Sequence, residues 1–189
     1  MVHKITDFKC RLIASRLGTI ALSILVPSLL VATSAKAGQL AGRSYFDHAP
    51  RLIRTAASFA DAYTPSSYEF TVRVPEDAGA SLQAIKLVQE KNTETLSLNV
   101  GQSYAFLGDS YAGGAAVSLA SIGGEATPGE ATFVFDPPIV PGQTVTIALN
   151  VVRNPALGGV YQYGVTAYPS GDNRSGLFLG VGRFNLYNY

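Results

Sequence analysis

The stretch TVTIALNVVRNPALGGVYQYGVTAYPSGDNRSGLFLGVGRFNLY, Thr144–Tyr187, decides the fold. In its first part Val145, Ile147, Leu149 and Val151 recur at every second position, the period that places alternate side chains on one face of a strand. Asn154-Pro155 and Gly158-Gly159 then break the pattern, and Tyr161, Tyr163, Val165 and Ala167 resume it. Pro169, Gly171 and Asn173 turn the chain again, and Leu177–Tyr187 closes it. Three strands joined by two turn-rich links predict an antiparallel meander. Leu177, Leu179 and Val181 oppose Phe178 and Phe184, which predicts a last strand covered on both faces. Gly180 and Gly182 leave room there for an aromatic ring from the neighbouring strand to cross the backbone.

The same period appears upstream. In Tyr68–Val74, YEFTVRV, Tyr68, Phe70, Val72 and Val74 share one face while Glu69, Thr71 and Arg73 take the solvent side. Leu82–Gln89 and Thr95–Val100 read as the next strands, the latter with Leu96, Leu98 and Val100 inward. Ala131, Phe133 and Phe135 mark another, which Asp136-Pro137-Pro138 should end because proline cannot donate to a ladder. Arg51–Phe59 is a strand with an irregular end, and Gly101–Gly129 is irregular apart from a short strand near Val117 and Leu119. About eight to ten short strands with turn signals between them predict an all-β, single-domain antiparallel β-sandwich of immunoglobulin-like type.

The N-terminus reads as an export signal. Lys4, Lys9, Arg11 and Arg16 precede an apolar run of 16 residues from Leu17 to Ala32, and Ala35-Lys36-Ala37 suits cleavage before Gly38. A comfortable membrane helix needs about 20 residues, and Pro27 interrupts this one, so residues 1–37 are expected to be a signal peptide, with no membrane span after cleavage. Gly38–Pro50 follows as a flexible leader and 51–189 as the domain. Of 189 residues, 152 then remain, enough for one core without staples, with nine Lys and Arg against twelve acids and a net charge of about −3. Nucleic acid binding needs clustered cations, which this balance does not supply. Cys10, the one cysteine, falls in the signal segment, which leaves the mature chain no disulfide and no thiol chemistry.

Catalytic constellations are thin. Gly108-Asp109-Ser110 is similar to the nucleophile block of GDS-type lipases and esterases, but no histidine follows it, and the tripeptide also makes a good turn. His48, beside Asp47, is the one histidine outside the signal segment, so a zinc or copper centre lacks its usual ligands. No cofactor and no metal site is expected. A carboxylate pair brought together by folding keeps a secreted hydrolase acting on carbohydrate or ester substrates as the alternative function. Tyr161 and Tyr163 read as core residues, whereas Tyr168, Tyr187 and Tyr189 are open to sugar stacking or protein anchoring.

Four segments, FTVRVPEDAGASLQAI from Phe70, FDPPIVPGQTVTIAL from Phe135, VRNPALGGVYQYGVTAYPSG from Val152 and GLFLGVGRF from Gly176, occur in this order behind the export signal. Together they resemble a family of exported cyanobacterial proteins known as domain of unknown function 2808, over about Arg51–Tyr187. The resemblance implies a compact exported domain of a cyanobacterial envelope and no activity. Arg153, at the mouth of a turn, is placed to bond loop carbonyls, to pair with Asp136, or to hold a ligand carboxylate or sugar. The expected function is therefore binding or structural association in the periplasm or at the cell surface, with an envelope polysaccharide or envelope protein as partner. Asp136, Arg153, Asn154 and Tyr168 are the candidate binding residues.

Overall fold

The computed structural model describes residues 38–40, 42–109, 113–123 and 127–188. Residues 1–37, where the export signal is expected, and Ser110, Glu125 and Tyr189 lie outside them. Strands β1 (Gly38–Leu40) and β2 (Arg43–Tyr45) form a two-stranded ribbon. One five-stranded sheet runs in the order β3 (Arg51–Ala57), β4 (Ser66–Arg73), β10 (Thr144–Val151), β6 (Tyr104–Leu107) and β7 (Ala116–Val117). The second runs β12 (Leu177–Leu186), β11 (Gly159–Pro169), β5 (Leu82–Gln89), β9 (Glu130–Ile139) and β8 (Leu119–Gly123). Every pairing within these sheets is antiparallel, so the domain is an all-β sandwich.

The core lies where the alternation put it. Tyr68, Phe70, Val72, Val145, Ile147, Leu149, Tyr163 and Val165 have no exposed surface. Four rings fuse the sheets: Tyr68 stacks on Phe184 with centroids 4.4 Å apart, and Phe70 and Tyr163 meet edge to face at 5.8 Å. These are the geometries a ring quadrupole favours.

Several expectations change in the fold. β10 does not pair with β11: it lies between β4 and β6, so only β11 and β12 form a hairpin and the meander is broken by a crossing between sheets. β9 runs through Pro137 and Pro138 to Ile139, with a cis peptide between Asp136 and Pro137. The prolines are tolerated because they fall in a bulge. Leu82 pairs with Ile139 and Ala84 with Val134, so Pro137 and Pro138 face no residue of β5 in the ladder, and Gln83 Nε2 donates to the Phe135 carbonyl at 2.7 Å. Thr95–Val100 is not a strand; Leu96 and Val100 are buried, but Leu98 makes only an isolated bridge to Val151 before a 3-10 turn at Val100–Gln102.

β12 is covered on one face, not two. Gly180, at φ 126°, sits where the register with β11 shifts, and the bulge reverses the alternation. Leu177 and Leu179 before it and Phe184 and Leu186 after it turn inward, which leaves Phe178 exposed. The ring against Gly182 belongs to Phe70 of the facing sheet, where an added Cβ would lie 2.8 Å from it. The neighbouring-strand ring that crosses a glycine is Phe178, over Gly164 of β11.

Glu69 and Thr71, expected at a solvent face, are buried, and the chain just after β6 is bonded to the residues beside them. Thr71 Oγ1 lies 3.0 Å from Thr146 Oγ1, which donates to the Gly108 carbonyl at 2.7 Å, and Arg54 donates to the Asp109 carbonyl. Burial pushes the Glu69 carboxyl above its ordinary range, opposed by Arg54. The stretch expected to be a flexible leader is built into the domain from Arg43 on: Phe46 joins the core, and the Ser44 hydroxyl donates to the Asp172 carbonyl at 2.8 Å. On the flanks, Ser118 alone separates β7 of one sheet from β8 of the other, and Thr55 Oγ1 of β3 donates to the Arg183 carbonyl of β12 at 3.3 Å.

Burial pushes the phenols of Tyr68 and Tyr163 far above their ordinary value of 10.0. Past that pH the unfolded chain releases protons that the native phenols keep, so stability falls as pH rises, by up to about 1.4 kcal/mol per pH unit for each ring. The Tyr163 hydroxyl has no hydrogen-bond partner among the described residues. Tyr163→Phe should therefore hold or raise stability at pH 7 and flatten the alkaline loss in urea titrations run from pH 7 to 11. A drop of more than about 1 kcal/mol at pH 7 would mean that the hydroxyl is satisfied.

Candidate binding surface

Asn154 organises one end of the sandwich. Pro155 follows it, favouring an extended backbone that takes the chain out of β10, and the side chain is fully buried. Its Nδ2 donates to the carbonyls of Phe59 at 3.0 Å and Asp61 at 2.9 Å, and its Oδ1 accepts from the Tyr68 hydroxyl at 2.8 Å. Its backbone N–H donates to the Thr64 carbonyl at 2.8 Å, and its own carbonyl accepts from Tyr63 N–H at 3.2 Å. All the donor capacity of the amide is used inside the protein.

These bonds shape the loop between β3 and β4. Ser66 Oγ takes the Phe59 N–H at 3.1 Å and donates to the Phe59 carbonyl at 2.9 Å. The C-terminal strand locks on as well, with Tyr187 N–H donating to the Ala60 carbonyl and Ala62 N–H to the Tyr187 carbonyl, each at 2.8 Å. Tyr63 is held at φ 60°, a conformation costly for a bulky side chain and stable only where surroundings impose it. The turn before β11 is fixed by Glu94, whose carboxylate accepts from the N–H groups of Ala156 at 3.2 Å and Leu157 at 3.0 Å.

This internally satisfied frame presents apolar side chains to solvent. Phe59 is 55% exposed, Tyr63 61% and Tyr187 50%, with Val152 and Leu157 close to these values. The Arg153 guanidinium carbon stands 5.8 Å from the centre of the Tyr63 ring, within cation–π range. Beside them a cleft of about 470 Å³ opens between Gly158–Val160 and Asn185–Asn188. Flat rings, a guanidinium and a shallow apolar cleft suit stacking on a sugar or seating a protein side chain.

The four residues singled out in the sequence divide between the two ends. Arg153 and Asn154 stand at the end just described, beyond Val151, which pairs with Ser66. Tyr168 and Asp136 lie at the other: Tyr168 pairs with Ala84, and Ala84 pairs with Val134, two residues before Asp136. Asp136 therefore cannot pair with Arg153; its side chain is exposed, and its N–H donates to the Ser118 carbonyl at 3.0 Å. Tyr168 is half-buried, with its ring lying over Gly176, where an added Cβ would come within 2.8 Å. His48 is exposed, 2.9 Å from the Asp77 carbonyl. Among the described residues no group of three His, Cys, Asp or Glu is placed to hold a metal ion, and two of the clefts carry one carboxylate each, Glu130 and Asp77.

Phe59 and Tyr63 were missed in the sequence. The available signal was two aromatics in a short segment of small and turn-forming residues just before Pro65, where no alternation assigns them to a core. Truncating the organiser should collapse the end. Asn154→Ala takes the acceptor from the buried Tyr68 hydroxyl, which costs about 1–3 kcal/mol, and removes one donor each from the Phe59 and Asp61 carbonyls, which keep Ser66 Oγ and Thr64 N–H, so urea unfolding should show a loss of at least about 2 kcal/mol. Arg153→Ala, exposed beside it, should stay within about 0.5 kcal/mol of the parent.

Among the described residues no helix is long and apolar enough to cross a membrane. No curated protein matches the sequence. Among solved structures, the chain is similar to the collagen-binding domain from a Staphylococcus aureus adhesin, at 8% identity and a TM-score of 0.40 over 71% of this chain and 95% of that one. It is similar to an uncharacterized Nocardia farcinica protein with an immunoglobulin-like fold, at 12% identity and a TM-score of 0.41 over 70% and 95%. It also aligns with a structure described as complete manganese lipoxygenase of Gaeumannomyces graminis and partial zonadhesin of Komagataella pastoris, at 13% identity and a TM-score of 0.45 over 69% of this chain. The chain spans about half of that protein, 48%. Residues 43–186 match the family described as "Protein of unknown function (DUF2808)", and the chain belongs to that family.

Proposed function

We propose that the protein is an exported cell-envelope domain that works by binding, and that the Asn154-organised end is its docking face. The observation that carries this reading is the exposure of Phe59, Tyr63 and Tyr187 on a loop frame whose polar groups are satisfied internally. Such rings lose little entropy on contact because the backbone beneath them is already fixed. Arg153 adds charge and hydrogen-bond donors at the rim of the Tyr63 ring. An envelope polysaccharide or envelope protein is the partner this chemistry fits. Export rests on the basic start, apolar run and Ala35-Lys36-Ala37 site of the N-terminal sequence.

Co-sedimentation with purified cell-wall and outer-membrane material, at low and at high salt, tests the proposal. Retention should survive high salt, since stacking is little screened. Tyr63→Ala and Arg153→Ala should each weaken it by about tenfold or more, the scale of losing an anchoring side chain. Tyr168→Ala, at the far end, should leave it unchanged. Retention lost equally in all three, or none in the parent, counts against this face. Export predicts that protein recovered outside the cytoplasm begins at Gly38.

A further inference from the structure

At the end of the first sheet away from Asn154, β3 and β4 bring Arg51 directly opposite Arg73. Residues so paired point to the same face with Cβ atoms about 5 Å apart, and like charges there repel. Both side chains are exposed, and among the described residues neither has a carboxylate within 4.0 Å, whereas Arg54 farther along β3 has Glu69 at that distance. Arg51 and Arg73 line a cleft of about 510 Å³ that His48, Pro75 and Asp77 help to wall. The one carboxylate in that wall is turned to the histidine: His48 Nδ1 donates to the Asp77 carbonyl at 2.9 Å and lies 3.5 Å from Asp77 Oδ2. Two forked cations in register are thus left facing a cleft without an anion of their own.

We propose that this cleft is an oxyanion site in which a carboxylate or phosphate group bridges Arg51 and Arg73. Each guanidinium offers a planar fork of N–H donors that matches two oxygens, and an anion between them replaces repulsion with charge-assisted hydrogen bonds. The site is separate from the aromatic face. Arg73 pairs with Thr144 and Ser66 with Val151, so the two lie at opposite ends of β4, roughly 23 Å apart at 3.3 Å per residue. Either can fail without the other.

The test is an NMR titration of the 15N-labelled protein with sodium phosphate and, separately, sodium glucuronate, at constant ionic strength set with sodium chloride. The expected result is a saturable shift of the Arg51 and Arg73 side-chain Nε–H signals with at least one of the two anions. Saturation by phosphate alone assigns a phosphorylated ligand, and saturation by glucuronate alone assigns a carboxylate-bearing one. Arg51→Gln and Arg73→Gln should each weaken binding at least tenfold, while melting temperature in chloride stays level or rises because a repelling pair is relieved. Arg73→Lys, which keeps the charge without the fork, should weaken it several-fold and serves if the glutamine variants fold poorly. A linear drift with both anions, or saturable shifts of backbone amide signals around the cleft that persist with the same affinity in R51Q/R73Q, overturns the proposal.

Discussion

The hydrogen bond from the Tyr68 hydroxyl to Asn154 Oδ1 is where the interior of this protein governs its surface. The Tyr68 ring stacks on Phe184 across the two sheets, so its position is set by the deepest packing in the molecule. Its hydroxyl reaches the amide whose nitrogen gathers the carbonyls of Phe59 and Asp61. Core packing therefore fixes where an exposed loop stands. The described residues contain no cysteine, so the ring cluster of Tyr68, Phe70, Tyr163 and Phe184 does the joining that a disulfide often does between sandwich sheets.

Alternation was the part of the fold that could be seen in advance, because a period of two is imposed by the backbone itself. Tyr68 to Val74, Val145 to Val151 and Tyr161 to Ala167 all turned inward as their spacing required. The failures share one cause, which is that a bulge changes the period without changing composition. At Gly180 one register shift moved Phe178 out and Phe184 in. At Asp136-Pro137-Pro138 a bulge let a strand pass a residue type that ends ladders elsewhere. Sheet membership was less legible still. Nothing local to β10 and β11 states that they part, because that depends on β4 and β6, distant in sequence, offering better partners.

The site was half visible for a related reason. Turn chemistry drew attention to Asn154, but its role is to be consumed by the fold, and a sequence does not distinguish an amide aimed at solvent from one aimed at three partners inside. Arg153, one residue earlier, points the other way along the alternation and stays exposed. Asp136, considered as a partner for Arg153, and Tyr168, considered as an open ring, stand at the other end of the sandwich, a placement that depends on pairings across the sheet and not on local sequence. Phe59 and Tyr63 became meaningful once the amide beneath them was known.

The two flanks of the sandwich have a bearing on how the protein keeps its own copies apart. On one side the chain steps through Ser118 from the last strand of one sheet to the last strand of the other, and on the opposite side β3 meets β12 through Thr55 and Arg183. Open strand edges are the usual template for runaway polymerisation, since any extended chain can hydrogen-bond along them. Here the edge strands of the two sheets are held beside one another within the molecule, β7 and β8 through Ser118 and β3 and β12 through the Thr55 hydroxyl. An edge that already has a neighbour in its own molecule offers less of that template to a second copy.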